Sequence, residues 1–311
     1  MRIALVAPGG VGGSFGALLA RAGEEVVALA RGPHLDAIRR RGLVLEGPLA
    51  GPPVPIAAGA DAATLGPADV VLFAVKLHQA EQAARDAAPL FGPGTIGISL
   101  LNGVTGPGVI AAALPGRTIL PGVAYVSAVI AAPGVIRMTG GMCRMVTGAP
   151  GADAATRARL DDLVARCGRA GIGATLAEDV EAVLWEKLVG LAANAALTAA
   201  GRVPAGLLYA DPDVLAAAEA LIAETAAVAR ALGVALPAGV EAKVLAMMRG
   251  FPPTMYASMY HDIARGAPIE VEGLSGHILR EGRRLGVPTP HHQALYAVLK
   301  PHAGGQPALP G

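Results

Sequence analysis

A single lysine interrupts a long apolar stretch. Lys187, in Val183-Leu-Trp-Glu-Lys-Leu-Val-Gly-Leu191, is followed by no charged residue before Arg202. Burying an unpartnered ammonium costs several kcal/mol, so either the stem carries the charge out to water or the ammonium faces a polar cavity. In the second case a protonated lysine is suited to deliver a proton to a carbonyl oxygen as negative charge develops there, the acid that hydride transfer to a ketone requires. Ser258, in Tyr256-Ala-Ser-Met-Tyr-His-Asp262, and Glu270, in Ala267-Pro-Ile-Glu-Val-Glu-Gly273, lie in a segment rich in polar groups. Their types and spacing alone leave them as surface or capping residues.

The other chemistry-bearing stretch is at the N-terminus. An apolar run, Arg2 to Val6, leads into glycines at 9, 10, 12, 13 and 16 and then into the helix-like Ala17-Leu-Leu-Ala-Arg21. Backbone N–H groups of Gly9, Gly10, Val11 and Gly12 would be open to a nucleotide pyrophosphate, and the helix behind them adds its positive dipole end. The first glycine of the usual G-x-G-x-x-G is Ala7 here, which predicts a turn without positive φ at that residue. A second strand, Val26 to Ala30, follows at βαβ spacing and ends at Arg31. A guanidinium at this point suits a 2′-phosphate, where an NAD-binding chain commonly carries a carboxylate, so NADP is expected over NAD. Lys76 after Val75 and Asn102 after Leu101 stand past the next two apolar runs. There they read either as cofactor contacts or as a solvated loop lysine and an Asn-Gly turn.

The elements that must position these residues are legible in outline. Strands and helices alternate from residue 1 to 176, and apolar runs between helices imply a mostly parallel sheet covered on both faces. The expected pieces are helices at 35–41 and 78–88, a β pair at 43–46 and 54–57, and strands at 69–75, 95–101, 118–129, 134–139 and 143–148. From 177 to 311 the pattern is helical only, with helices expected at 184–200, 211–232, 239–248 and 273–285. The fold class is therefore α/β, a Rossmann-type dinucleotide-binding domain followed by an all-helical substrate domain. The tail 303–311 is expected to be disordered.

Composition excludes several functions. The 311 residues carry 25 Lys plus Arg against 24 Asp plus Glu and only 3% aromatic residues, so no basic or aromatic face points to nucleic acid. Mean hydropathy is positive, at +0.51, but Pro89, Pro93, Pro107, Pro115, Pro121 and Pro133 cut the long uncharged stretches too short for a membrane span. Cys143 and Cys167 are too far apart for a local metal knuckle and read as buried thiols of a reducing cytoplasm. No metal site is expected, and the apolar helical half is compatible with a homodimer.

Taken together, the glycine loop, Ala74-Val-Lys76, Leu101-Asn-Gly103, Trp185-Glu-Lys-Leu188, Leu197-Thr198, Ser258-Met-Tyr-His-Asp262, Ile269-Glu270 and Leu285-Gly-Val-Pro-Thr-Pro290 resemble the ketopantoate reductase family. The resemblance spans nearly the whole chain. It implies NADPH-dependent reduction of 2-dehydropantoate to (R)-pantoate, a step toward pantothenate and coenzyme A. It further implies Lys187 as the catalytic lysine, Asn102 as a contact to cofactor and substrate, Ser258 as a carboxylate anchor and Glu270 as the acidic group near the lysine. Gly9, Gly12, Arg31 and Lys76 match cofactor positions. Some members carry asparagines four and eight residues after the lysine, where this chain has Leu191 and Ala195. Asn194, about 100° around the helix from position 195, is the candidate substitute. The alternatives are a paralogue for a more apolar 2-keto acid, a 3-hydroxyacid or opine-type dehydrogenase, and a non-catalytic NADPH sensor.

Overall fold

The computed structural model of the chain describes residues 1–307 and comprises two compact units, Met1–Val180 and Glu181–Gly311. The first unit runs β1 (Arg2–Val6), α1 (Gly10–Arg21), β2 (Glu25–Leu29), α2 (Gly32–Arg41), β3 (Val44–Glu46), β4 (Ala57–Gly59), β5 (Ala68–Phe73), α3 (Ala80–Asp86), β6 (Phe91–Ser99), α4 (Gly106–Ala113), β7 (Thr118–Ala132), β8 (Val135–Thr147), α5 (Ala154–Arg169) and β9 (Gly173–Leu176). The strands form one sheet in the order β3-β8-β7-β6-β5-β1-β2-β4, with β9 also on β8. The β7–β8 hairpin is antiparallel and the other strand pairings are parallel.

Alternation along the central strands explains why they are apolar throughout. Ile3 and Leu5 of β1, with Val70 and Leu72 of β5, pack with Phe15, Leu18 and Leu19 of α1 on one face. Ala4 and Val6, with Val71 and Phe73, pack with Ala80, Ala84 and Ile110 on the other. Each residue must therefore be apolar, because successive side chains serve opposite cores. Truncating a fully buried leucine such as Leu5 to alanine would cost about 2–5 kcal/mol.

The second unit is helical: α6 (Val180–Gly201), α7 (Ala205–Leu208), α8 (Pro212–Ala231), α9 (Val240–Arg249), α10 (Ser258–Ala264), α11 (Ser275–Leu285) and α12 (Pro290–Leu299). Val189, Ala193 and Leu197, spaced four apart on α6, share a core with Leu221 and Ile222 of α8 and Val244 and Met248 of α9. Asp211 starts α8 by accepting the backbone N–H groups of Asp213 and Val214, with Pro212 in the first turn. The buried Glu224 carboxylate accepts the backbone N–H groups of His291 (2.9 Å) and His292 (3.0 Å), tying α8 to the N-terminus of α12. No helix among the described residues is long and apolar enough to cross a membrane.

Four expectations change. Residues 43 and 54 meet in a single antiparallel bridge, while Ala57–Gly59 pairs in parallel with β2 instead of with β3. The two strands expected at 134–139 and 143–148 are one strand, β8, because Thr139 to Met142, with Gly140 and Gly141 between them, lie opposite a register shift in β7 between Val126 and Ala128. The helix expected to reach residue 88 ends at Asp86, and a 3-10 turn containing Pro89 follows. The tail is ordered as far as it is described: Gly305 donates to the His302 carbonyl and Gln306 to the Gly266 carbonyl, whereas 308–311 lie outside the described residues.

Candidate active site

In the first unit, four parallel strands end in register. Leu29 of β2 stands beside Val6 of β1, Val6 beside Phe73 of β5, and Phe73 beside Ser99 of β6. The loops that leave these ends carry Arg31, the glycine loop, Lys76 and Asn102, so one edge of the sheet gathers all of them. Ligands of open α/β sheets bind beyond the carboxyl ends of the strands. Lys76 is half-buried and precedes a 3-10 turn, Leu77–Gln79. Asn102 is half-buried in a turn whose next residue, Gly103, has φ +85°.

Ala7 corrects the sequence reading. Its φ is +62°, so the tight turn uses the left-handed region after all, and an alanine occupies it at a cost of about 1–2 kcal/mol. The turn is held by Gly9 N–H donating to the Ala7 carbonyl (2.8 Å) and by Ala7 N–H donating to Leu29 (3.1 Å). Past it, Gly9 caps the start of α1 without a side-chain hydrogen bond. A Cβ on Gly10 would run into the Ala128 carbonyl, and one on Gly13 would lie 2.6 Å from Ile136, so these glycines seat the helix on the β7–β8 hairpin. A Cβ on Gly9 would meet only Ile130, at 3.9 Å, which leaves the mouth of the loop open. An uncapped helix N-terminus behind an open glycine turn fits a dinucleotide pyrophosphate.

Three features of this edge were not legible in the sequence. The Arg31 guanidinium pairs with Asp86 at the end of α3, and the arginine side chain remains 67% exposed. His34 braces the loop: Gly134 N–H donates to Nδ1 (3.0 Å), so Nε2 carries the hydrogen and donates to the Pro8 carbonyl (2.9 Å). Below the Asn102 turn, the buried hydroxyls of Ser99 and Thr105 have no hydrogen-bond partner among the described residues.

In the second unit, Lys187 sits in the first half of α6. Removal from water lowers its pKa to about 8, with the nearby Glu270 carboxylate pulling in the opposite direction. The ammonium therefore does not escape fully into solvent. Glu270, 7% exposed, opens a 3-10 turn after Ile269. Ser258 is exposed at the first position of α10. Asn194 is buried, and its side-chain oxygen accepts the Tyr209 hydroxyl at 2.8 Å, which spends that oxygen inside the helical core. Leu191, one turn beyond Lys187, is partly exposed, and Ala195 is buried.

A parallel nucleotide-type sheet followed by a helical unit with a desolvated lysine defines an oxidoreductase of the Rossmann-plus-helical class. Sequence comparison agrees with that class. Residues 3–151 match the ketopantoate reductase PanE/ApbA family and residues 179–303 match its C-terminal region. A 2-dehydropantoate 2-reductase of Mesorhizobium japonicum is 30% identical, covering 96% of this chain and 97% of its own length. One from Mycobacterium tuberculosis is also 30% identical, covering 97% and 98%. The crystal structure of a PanE/ApbA family ketopantoate reductase from Ralstonia eutropha superimposes with a TM-score of 0.89 at 33% identity, covering 97% of this chain and 98% of that one. The chain belongs to the ketopantoate reductase family of oxidoreductases.

Proposed function

We propose that this chain reduces a 2-oxo acid with NADPH, 2-dehydropantoate being the first substrate to test, because relatives that cover 96–97% of the chain are named 2-dehydropantoate 2-reductase. The observation that carries the proposal is Lys187, a half-buried lysine whose ammonium desolvation brings its pKa down to about 8 near a buried carboxylate. NADPH, when bound, supplies the hydride. Gly9, Gly10, Val11 and Gly12 would receive its pyrophosphate, Arg31 its 2′-phosphate, and Lys76 and Asn102 would contact it at the strand ends. Lys187 donates a proton from Nζ to the keto oxygen as that oxygen gains charge, so the carbonyl carbon gains a hydride, the oxygen gains a proton, and the products are a 2-hydroxy acid and NADP⁺. Glu270 favours the charged ammonium and so keeps the acid loaded. Ser258 is the candidate anchor for the substrate carboxylate.

The decisive experiment is steady-state NADPH oxidation with 2-dehydropantoate and simple branched 2-oxo acids. Lys187→Ala should lower kcat by at least about 100-fold while NADPH binding is retained. Near-normal turnover in that variant, or no turnover of any 2-oxo acid by the unaltered protein, would remove the proposal. Tight NADPH binding without turnover would favour a sensor, and faster turnover of amino or 3-hydroxy substrates a dehydrogenase of the opine or 3-hydroxyacid type.

A further inference from the structure

His34 stands in the first turn of α2, three residues past Arg31, and its half-buried ring reaches two segments that are distant in sequence. Nδ1 accepts the Gly134 N–H at 3.0 Å, and Nε2 donates to the Pro8 carbonyl at 2.9 Å. Pro8 and Gly134 are both buried, so the ring serves one backbone polar group in each of two places with little access to water. A single neutral tautomer fits both bonds.

The two segments meet at the glycine loop. Pro8 lies between Ala7, held at φ +62°, and Gly9, whose N–H closes the turn onto the Ala7 carbonyl. Gly134 belongs to the turn between β7 and β8, which is fixed by its own contacts: the Gly134 carbonyl accepts Val44 N–H at 2.9 Å, the Arg41 guanidinium donates to the Pro133 carbonyl, and a Cβ on Gly134 would stand 2.9 Å from Ala37 of α2. The same hairpin backs the start of α1, with the Ala128 carbonyl against Gly10 and Ile136 against Gly13. His34 thus hydrogen-bonds both to the loop and to the hairpin that supports it. A left-handed alanine persists only where its surroundings over-determine the turn, and the bond to Pro8 acts on the very next residue.

We infer that His34 is a positioning residue for the dinucleotide, fixing the Pro8 peptide so that the N–H groups at the start of α1 are presented in place before the pyrophosphate arrives. The inference rests on the reading of this loop as the pyrophosphate seat. A loop ordered in advance loses less freedom on binding, so removing the ring should weaken the dissociation constant and spare the chemical step. The pyrophosphate is common to both nicotinamide dinucleotides, so NADPH and NADH should suffer alike. An effect passed on through Arg31 would fall on NADPH alone.

The test is fluorescence titration of the full chain with NADPH and with NADH, alongside steady-state turnover. His34→Ala should raise both Kd values by at least about ten-fold, while kcat at saturating NADPH stays within about two-fold. His34→Gln, whose amide offers an acceptor and a donor side by side, should hold both Kd values to within about three-fold of the unaltered protein. His34→Met fills similar space without that pair and should behave like His34→Ala, which keeps the comparison with glutamine available if the alanine variant does not fold. A histidine that only supports the fold would lower the melting temperature of these variants and leave Kd in place. That result would overturn the inference, as would a loss confined to NADPH or a glutamine variant no better than methionine. An unaltered protein that binds neither dinucleotide would overturn the inference and the reductase reading together.

Discussion

Glu270→Gln isolates the charge that holds Lys187 in its acidic form. In the unaltered protein the lysine titrates at about 8, where burial lowers its pKa and the Glu270 charge raises it. Half of the ammonium is then protonated at pH 8, and reduction should fall by about ten-fold for each pH unit above that point. Removing an opposite charge from beside a desolvated group typically moves its pKa by about one unit or more, here downward. With the lysine titrating near about 7, the loaded fraction at pH 8 drops from about one half to about one tenth, while at pH 6 it stays above about 90%. The expectation is a loss in kcat/KM of about five-fold at pH 8 with little change at pH 6. Measuring NADPH oxidation from pH 5.5 to 10 for both proteins gives the two alkaline limbs directly. A limb that stays in place, or moves upward, would refute the claim that Glu270 sustains the ammonium. A limb that persists unchanged in a residually active Lys187→Ala variant would show that another group is titrating.

Other perturbations follow from the same geometry. Asp86→Asn frees Arg31 from an exposed pair worth no more than about 1 kcal/mol, so the NADPH Kd should tighten by up to about five-fold with NADH affinity unchanged, as read by fluorescence titration. At φ +62°, Ala7→Val should destabilise the fold by about 2 kcal/mol or more in urea titrations, whereas Ala7→Gly should leave it equal or slightly more stable. Burial lowers the pKa of His292 to about 4, so the unfolded chain binds this proton first as pH falls below about 6.5. Stability should therefore be fully present above about pH 6.5 and decline toward pH 4, by about 2 kcal/mol at pH 5, and a His292→Gln variant should lose that part of the slope.

Local signals were enough for most elements of the nucleotide unit, but α4, α5 and β9 were not placed from the sequence. The apolar runs of β1, β2 and β5, the glycines before α1 and the cation after β2 each depend on a few neighbouring residues, whose period and backbone freedom are written in the order of the chain. The helical half was legible for the same reason at α6, α8, α9 and α11. The short α7 and α10 were not, because each has only about two turns or fewer and their apolar contacts come from distant elements, and α12 was not placed either.

Distance along the chain marks what tertiary structure alone could decide. Ala7 enters the left-handed region because β1, β2 and α1 over-determine the turn, a cost that no local preference announces. Arg31 finds Asp86, His34 finds Gly134, and the Asn194 oxygen accepts the Tyr209 hydroxyl, all pairings created by packing. The sequence by itself determined that a lysine lies in an apolar helix with a leucine one turn on. Only the folded chain decided that this ammonium is desolvated near Glu270 and that Leu191 alone remains accessible between Leu188 and Ala199, because burial and charge proximity are properties of the assembled neighbours and not of any one segment.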